Sequence, residues 1–130
     1  MANPGYSTTL RNAKLDANAT IIGNAGKLNI YSGTRPATGG AAGTLLAQFT
    51  LGSPYAPAAS GGVQSPTLPS ATTGVAAGTA SWARITTSGG TQVIDMDVGT
   101  SGTTVILNTT TISVGAAVSV TSWTTTDGNP

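Results

Sequence analysis

The chain has 130 residues, with five Lys or Arg, four Asp, no Glu, no His and no Cys, and a net charge of +1. Without imidazole or thiol there is no ordinary general base, thiolate nucleophile, Cys/His zinc site or disulfide framework, so neither an enzyme nor a bound cofactor or metal is expected. Charged residues at 7% leave no basic stripe for nucleic acid and no polybasic patch for a membrane.

The opening Met1-Ala2-Asn3-Pro4-Gly5-Tyr6 lacks the positive start and apolar run of a secretory signal, and nowhere do 18 apolar residues follow one another. Synthesis in a host cytoplasm without a signal peptide is the expectation. Ser7 or Thr8 can cap a helix over residues 7–20 that Gly23 stops. Leu10, Ala13, Ala17 and Ile21 fall on one side of it and Arg11, Lys14 and Asn18 on another, which makes the segment amphipathic, as suits a helix covering one end of a sheet. Residues 1–24 are therefore expected to be an N-terminal arm and helix, and 25–130 a single β domain.

After Gly26 the period changes to two. Leu28 and Ile30 alternate with Lys27, Asn29 and Tyr31; a loop from Gly33 to Gly40 follows, and Leu45, Ala47, Phe49 and Leu51 then alternate with Leu46, Gln48 and Thr50. Pro66 limits the run from Val63 to Leu68 to an edge strand. Trp82, Arg84 and Thr86 share a face opposite Ala83 and Ile85, and Ser88-Gly89-Gly90 turns the chain. Ile94, Met96 and Val98 then point inward, with Asp95 and Asp97 outward. Val105 to Asn108 is short and apolar. The alternation changes phase between Val120 and Trp123, so either a bulge sits there or Trp123 faces the other side. Short strands at this spacing after one helix predict a mainly β protein, an antiparallel β-sandwich of jelly-roll or immunoglobulin-like type.

The possible sites reduce to few. Gly39-Gly40-Ala41-Ala42-Gly43-Thr44 lacks the Gly-Lys-Ser/Thr ending of a phosphate loop and precedes a strand rather than a helix. Asp95 and Asp97 have the separation of paired carboxylates, about 6.6–6.8 Å between Cα atoms. Composition favours a solvated strand face whose charges discourage edge pairing. The Trp pair, Trp82 and Trp123, is expected in the core or at a subunit interface. Tyr6 and Tyr55 stand beside Pro and Gly outside the regular strands, which marks them as contacts with another chain.

The run Ser7-Thr8-Thr9-Leu10-Arg11-Asn12-Ala13-Lys14-Leu15-Asp16-Ala17, the segment Leu28-Asn29-Ile30-Tyr31-Ser32-Gly33-Thr34-Arg35-Pro36, the stretch Ala58-Ala59-Ser60-Gly61-Gly62 and the end Val118-Ser119-Val120-Thr121-Ser122-Trp123 carry a further signal. Together they resemble small virion structural proteins of tailed bacteriophages, in which a short N-terminal helix precedes a Gly/Thr-rich β domain. That resemblance implies a head decoration or cement protein. Such a protein is a small jelly-roll-like module, trimeric in many cases, that sits on the outer surface of a shell of major capsid protein and stabilises the head. Its partners would be that capsid protein and other copies of itself, and its expected contacts are Tyr6, Leu10, Arg11, Arg35 and Tyr55. The alternatives are a carbohydrate- or receptor-binding β module using exposed aromatics, and a tail or neck component of the virion.

Overall fold

A computed structural model describes residues 5–127; residues 1–4 and 128–130, the outer ends of the two expected segments, lie outside that range. The chain is mainly β with one helix at its N-terminal end. Helix α1 runs Thr8–Ile22, capped by the Ser7 hydroxyl, which accepts from the Leu10 N–H at 3.1 Å, and ended by Gly23 at φ 70°. The buried face is not the expected one. Leu15 and Ile22 point inward, whereas Leu10, Ala13, Ala17 and Ile21 are exposed. Both stripes are apolar, and the polar neighbours decide between them. Asn12 and Asp16, on the Leu15 side, accept from the backbone N–H groups of Gly62 at 2.9 Å and Ala59 at 2.7 Å, donors that are partly buried where the loop meets α1.

Next come β1 Lys27–Tyr31, a single 3-10 turn Ala37–Gly39, and β2 Leu45–Thr50. Three two-residue strands follow: β3 Val63–Gln64, β4 Thr72–Thr73 and β5 Gly78–Thr79. Then come β6 Trp82–Thr86, β7 Gln92–Gly99, β8 Val105–Leu107, β9 Thr111–Ile112, β10 Ala117–Val118, β11 Val120–Trp123 and β12 Thr125–Thr126. Six of them form one curled sheet in the order β11-β8-β7-β6-β1-β2. The expected hairpin is present as β6 and β7, with Arg84 opposite Asp95 and Trp82 opposite Asp97. The expected edge strand shrinks to β3, which pairs with β12. A register shift between Val120 and Ser122 places a bulge at Thr121 and leaves both Val120 and Trp123 buried.

One pairing departs from an all-antiparallel sheet. β8 runs parallel to β7 over Val98 with Val105 and Gly99 with Ile106. The loop between them closes because the Asp97 carboxylate accepts from the Thr104 N–H at 3.1 Å, and Gly102 takes the positive φ of 69° that the tight return requires.

Four of the six two-residue strands are parts of one feature. β4 pairs with β10 and β5 with β9, and between them the Gly74 N–H donates to the Ala116 carbonyl and the Gly115 N–H to the Gly74 carbonyl. Residues 72–80 and 110–118 thus form one interrupted ribbon, tied to β2 by the Val75 N–H donating to the Leu46 carbonyl at 2.8 Å. Its inward residues Ala80, Ile112 and Val118 join Leu28, Ile30, Phe49, Ile85 and Met96 of the sheet in one core, with Ile22 from α1 and Tyr55 and Trp123. Gly26 lets α1 approach: a Cβ there would sit 2.5 Å from Ile22 Cγ2 and 2.9 Å from the Thr86 carbonyl. The chain exposes 6404 Å². That is close to the roughly 6,200 Å² of a folded monomer of 12.7 kDa, so the single chain is as compact as a folded monomer of its mass.

Candidate functional site

The two-residue period of β1, β6 and β7 sends one set of side chains to the core and the other to the opposite face of the sheet. On that second face the registers align Gln48, Asn29, Arg84 and Asp95 in a row across four strands. The row is bonded throughout. Gln48 Nε2 donates to Asn29 Oδ1 at 2.7 Å, and Asn29 Nδ2 donates to the Arg84 carbonyl at 3.3 Å. Arg84 grips Asp95 at two points, Nε to Oδ1 at 2.8 Å and Nη2 to Oδ2 at 3.1 Å. Beside this row Tyr31 stacks on Trp82 with centroids 4.6 Å apart, and the Arg84 guanidinium lies 5.2 Å from the Trp82 ring.

The segment from Ser32 to Thr44 covers this polar face. It is held by Trp82 Nε1 donating to the Ser32 carbonyl at 3.2 Å, by the Ser81 hydroxyl donating to Gly33, and by Arg84 Nη2 donating to the Gly40 carbonyl at 2.6 Å. Asp95 therefore does point outward, but it is not solvated: its side chain and that of Arg84 are each only 10% exposed. The hydrogen bond to Asp95 raises the Arg84 guanidinium above its usual value, against the desolvation that opposes it. Asp97, exposed, is held below the ordinary carboxylate value, first by its hydrogen bond with Thr104.

An open cleft of about 650 Å³ lies where the cover meets the sheet, lined by Arg35, Pro36, Ala37, Gly39, Gln92 and Asp95. It offers one exposed guanidinium and one amide. The carboxylate in its wall is already engaged at both oxygens by Arg84, which makes that group a structural tie. The Gly-rich loop turns a carbonyl inward at Gly40 to receive Arg84. A phosphate cradle would instead turn successive N–H groups toward its ligand.

The five expected contact residues divide. Tyr55 is a correction: it is 0% exposed, its hydroxyl donates to Gln64 Oε1, and its ring tilts against Trp123 at 5.8 Å. It has no surface for another chain, because the irregular segment around it folds back as a plug in the core; burial pushes its phenol up to about 12. Arg11 is committed within the chain, with Nη1 donating to the Asp127 carbonyl at 3.1 Å and Nη2 to Thr8 Oγ1 at 3.3 Å. Tyr6 is half-buried under Lys14 Nζ, 4.0 Å from its ring centre, and Lys14 also pairs with Asp127 at 2.9 Å. Leu10 is 44% exposed and Arg35 is exposed at the cleft. These two stand at separate places, on α1 and on the cover, and the structure does not bring the five together.

The sequence reading missed the ribbon's outer surface. Thr73, Val75, Ala77 and Thr79 on one strand, and Thr111, Ser113, Val114, Ala116 and Ala117 on the other, are all exposed. The signal was present as an absence of charge: residues 36–83 and 98–126 contain no Asp, Glu, Lys or Arg. All nine charged side chains lie on α1, on β1, β6 and β7, at Arg35 and at Asp127. No protein family, curated protein or solved structure matches the chain.

Proposed function

We propose that the chain is a capsid decoration protein of a tailed phage, binding the outer surface of the major capsid protein lattice as a homo-oligomer and stabilising the head. The observation that carries this reading is the division of the surface. An uncharged Thr, Ala and Val face lies on the ribbon, the charged side chains stand elsewhere with the cross-bonded polar row covered by residues 32–44, and the large aromatics are spent inside, with Trp82, Trp123, Tyr55 and Phe49 all buried. A protein that docks many times on one lattice gains from broad, weakly charged, hydrogen-bonding surfaces, whose attachment is little affected by salt. The resemblance across α1, β1 and β11 supports the same reading.

A glycan-binding module working by ring stacking would place those aromatics in the open, and the burial of both Trp side chains speaks against it. Residues of the ribbon and residues of the large sheet meet across one core, which supports a jelly-roll-like sandwich as the finer description.

The test is to mix the purified chain with bare heads of the phage that encodes it, sediment them, and count bound copies while heating. Saturation at a fixed ratio to capsid subunits, with shells surviving to higher temperature, is expected. Absence of saturable binding overturns the reading.

A further inference from the structure

We propose that the cleft beside the cover 32–44 binds the side-chain carboxylate of an acidic peptide segment from another molecule, the Arg35 guanidinium gripping the carboxylate and the Gln92 amide bonding the peptide beside it. This goes beyond the capsid reading, because it follows from the cleft alone and holds whether or not a shell supplies the peptide.

The chain spends its few charges on itself. Lys14 pairs with Asp127 and Arg84 with Asp95, Arg11 donates to the Asp127 carbonyl, and Lys27 donates to Thr50 Oγ1 at 3.0 Å. Asp16 and Asp97 accept from the backbone N–H groups of Ala59 and Thr104. Among the described residues, Arg35 alone of the charged side chains has neither hydrogen bond nor ion pair, and it is exposed in the lining of the cleft. The Gln92 side-chain amide in the same lining has no hydrogen bond within the described residues either. Its place is built: a Cβ on Gly39, which stands at φ 71°, would sit 2.9 Å from Gln92 Oε1, so glycine there lets the amide lie against the turn.

Charge selects the ligand. Asp97, held low first by its Thr104 bond, also feels the Arg35 charge without bonding it, and Asp95 in the wall is matched by Arg84. One unbonded fork of donors in these surroundings suits a single negative charge, whereas a phosphate dianion would be repelled by both Asp95 and Asp97. A planar guanidinium matches a carboxylate at two points. Pro36, Ala37 and Gly39 offer apolar surface to an aliphatic stem, and about 650 Å³ leaves room for the residues on either side of it.

The walls and the composition narrow its source. A terminal carboxylate is characteristically captured by a nest of backbone N–H groups, and here the loop turns the Gly40 carbonyl inward instead. A second copy of this chain has no Glu to offer, and each of its Asp side chains is already bonded. The carboxylate therefore comes from a Glu or Asp side chain of a different molecule.

The probe is the blocked tripeptide acetyl-Ala-Glu-Ala-amide, titrated at neutral pH and about 0.05 M salt into the isotope-labelled full chain and followed by amide and guanidinium NMR signals. One exposed ion pair adds little, so a Kd in the millimolar range is expected, with saturable shifts at Arg35 Nε–H and the Gln92 side-chain amide. Acetyl-Ala-Gln-Ala-amide should bind at least about threefold more weakly, and about 0.5 M salt should erase most of that preference. Arg35→Gln should abolish the preference, Arg35→Lys should keep part of it, and Lys27→Gln should leave it unchanged. Gln92→Ala should weaken both peptides alike, by about two- to threefold. None of these side chains lies in the core, so each variant should keep the parent spectrum away from the cleft. No saturable shift at Arg35 and Gln92, or equal affinity for the two peptides, overturns the proposal. Tighter binding of inorganic phosphate, or of acetyl-Ala-Ala-Ala with its terminal carboxylate left open, overturns it as well. Because the experiment contains no capsid, its failure leaves the capsid assay to stand or fall separately.

Discussion

Replacing Asp95 by Asn removes one charge from the Arg84 pair and leaves the volume nearly unchanged. Breaking a buried ion pair from one side costs about 3–5 kcal/mol because the surviving charge stays buried. Arg84 keeps its bond to the Gly40 carbonyl, and the new amide oxygen still accepts from Nε, so the loss should fall near the lower end, about 3 kcal/mol. With an unfolding entropy of about 2.1 cal/mol/K per residue over the 130 residues, that lowers Tm by about 11 °C. Near-ultraviolet circular dichroism is the readout, since Trp82, stacked on Tyr31, sits beside the pair. Asp97→Asn is the control, on the same strand and face but exposed, and should cost no more than about 1 kcal/mol. The double variant Arg84→Met/Asp95→Leu removes both charges and should recover most of the loss, short of about 1 kcal/mol for the bond to Gly40. Equal effects of Asp95→Asn and Asp97→Asn would refute the reasoning, because they would mean that the cover over residues 32–44 does not exclude water from the pair.

The remaining predictions concern the core and the helix. The Tyr55 phenol titrates near 12 in the fold against 10.0 in the unfolded chain, so the folded state holds its proton longer. Stability should then be full below about pH 10 and decline as pH rises toward 12. Tyr55→Phe should flatten that limb in urea titrations, and an unchanged slope would assign the loss elsewhere. Gly26→Ala should destabilise by about 2–3 kcal/mol by forcing a methyl against Ile22 and the Thr86 carbonyl, measured by urea unfolding. Leu15→Ala should cost about 2–4 kcal/mol and Leu10→Ala about 0.5 kcal/mol; the reverse order would place the buried side of α1 where its sequence pattern first suggests.

Much of the frame is legible in the chain because runs of five or more residues carry their own signal: a cap and the 3.6-residue period in α1, and the two-residue period in the strands around Leu28, Phe49, Ile85 and Met96. The two-residue strands were illegible, since a pair of residues has no period, and so was the parallel contact of β8 with β7, which depends on one side chain closing a five-residue loop. Alternation correctly sent Asp95 to the outer face, but direction is not exposure. What buried it was a loop arriving from 32–44, and the available clue was Arg84, a cation in the middle of an apolar strand that needed a partner. Tyr55 misled because its Pro-flanked segment reads as surface loop, whereas an irregular segment can carry a large anchor inward. The ribbon's uncharged outer face was overlooked because small uncharged residues make no motif.

The most direct test of the capsid reading is an electron cryomicroscopy comparison of heads assembled with and without this chain. The account predicts difference density of about 12.7 kDa per copy at one repeating position on the outer surface of the lattice. Identical shells, or density confined to the neck or tail, would contradict it.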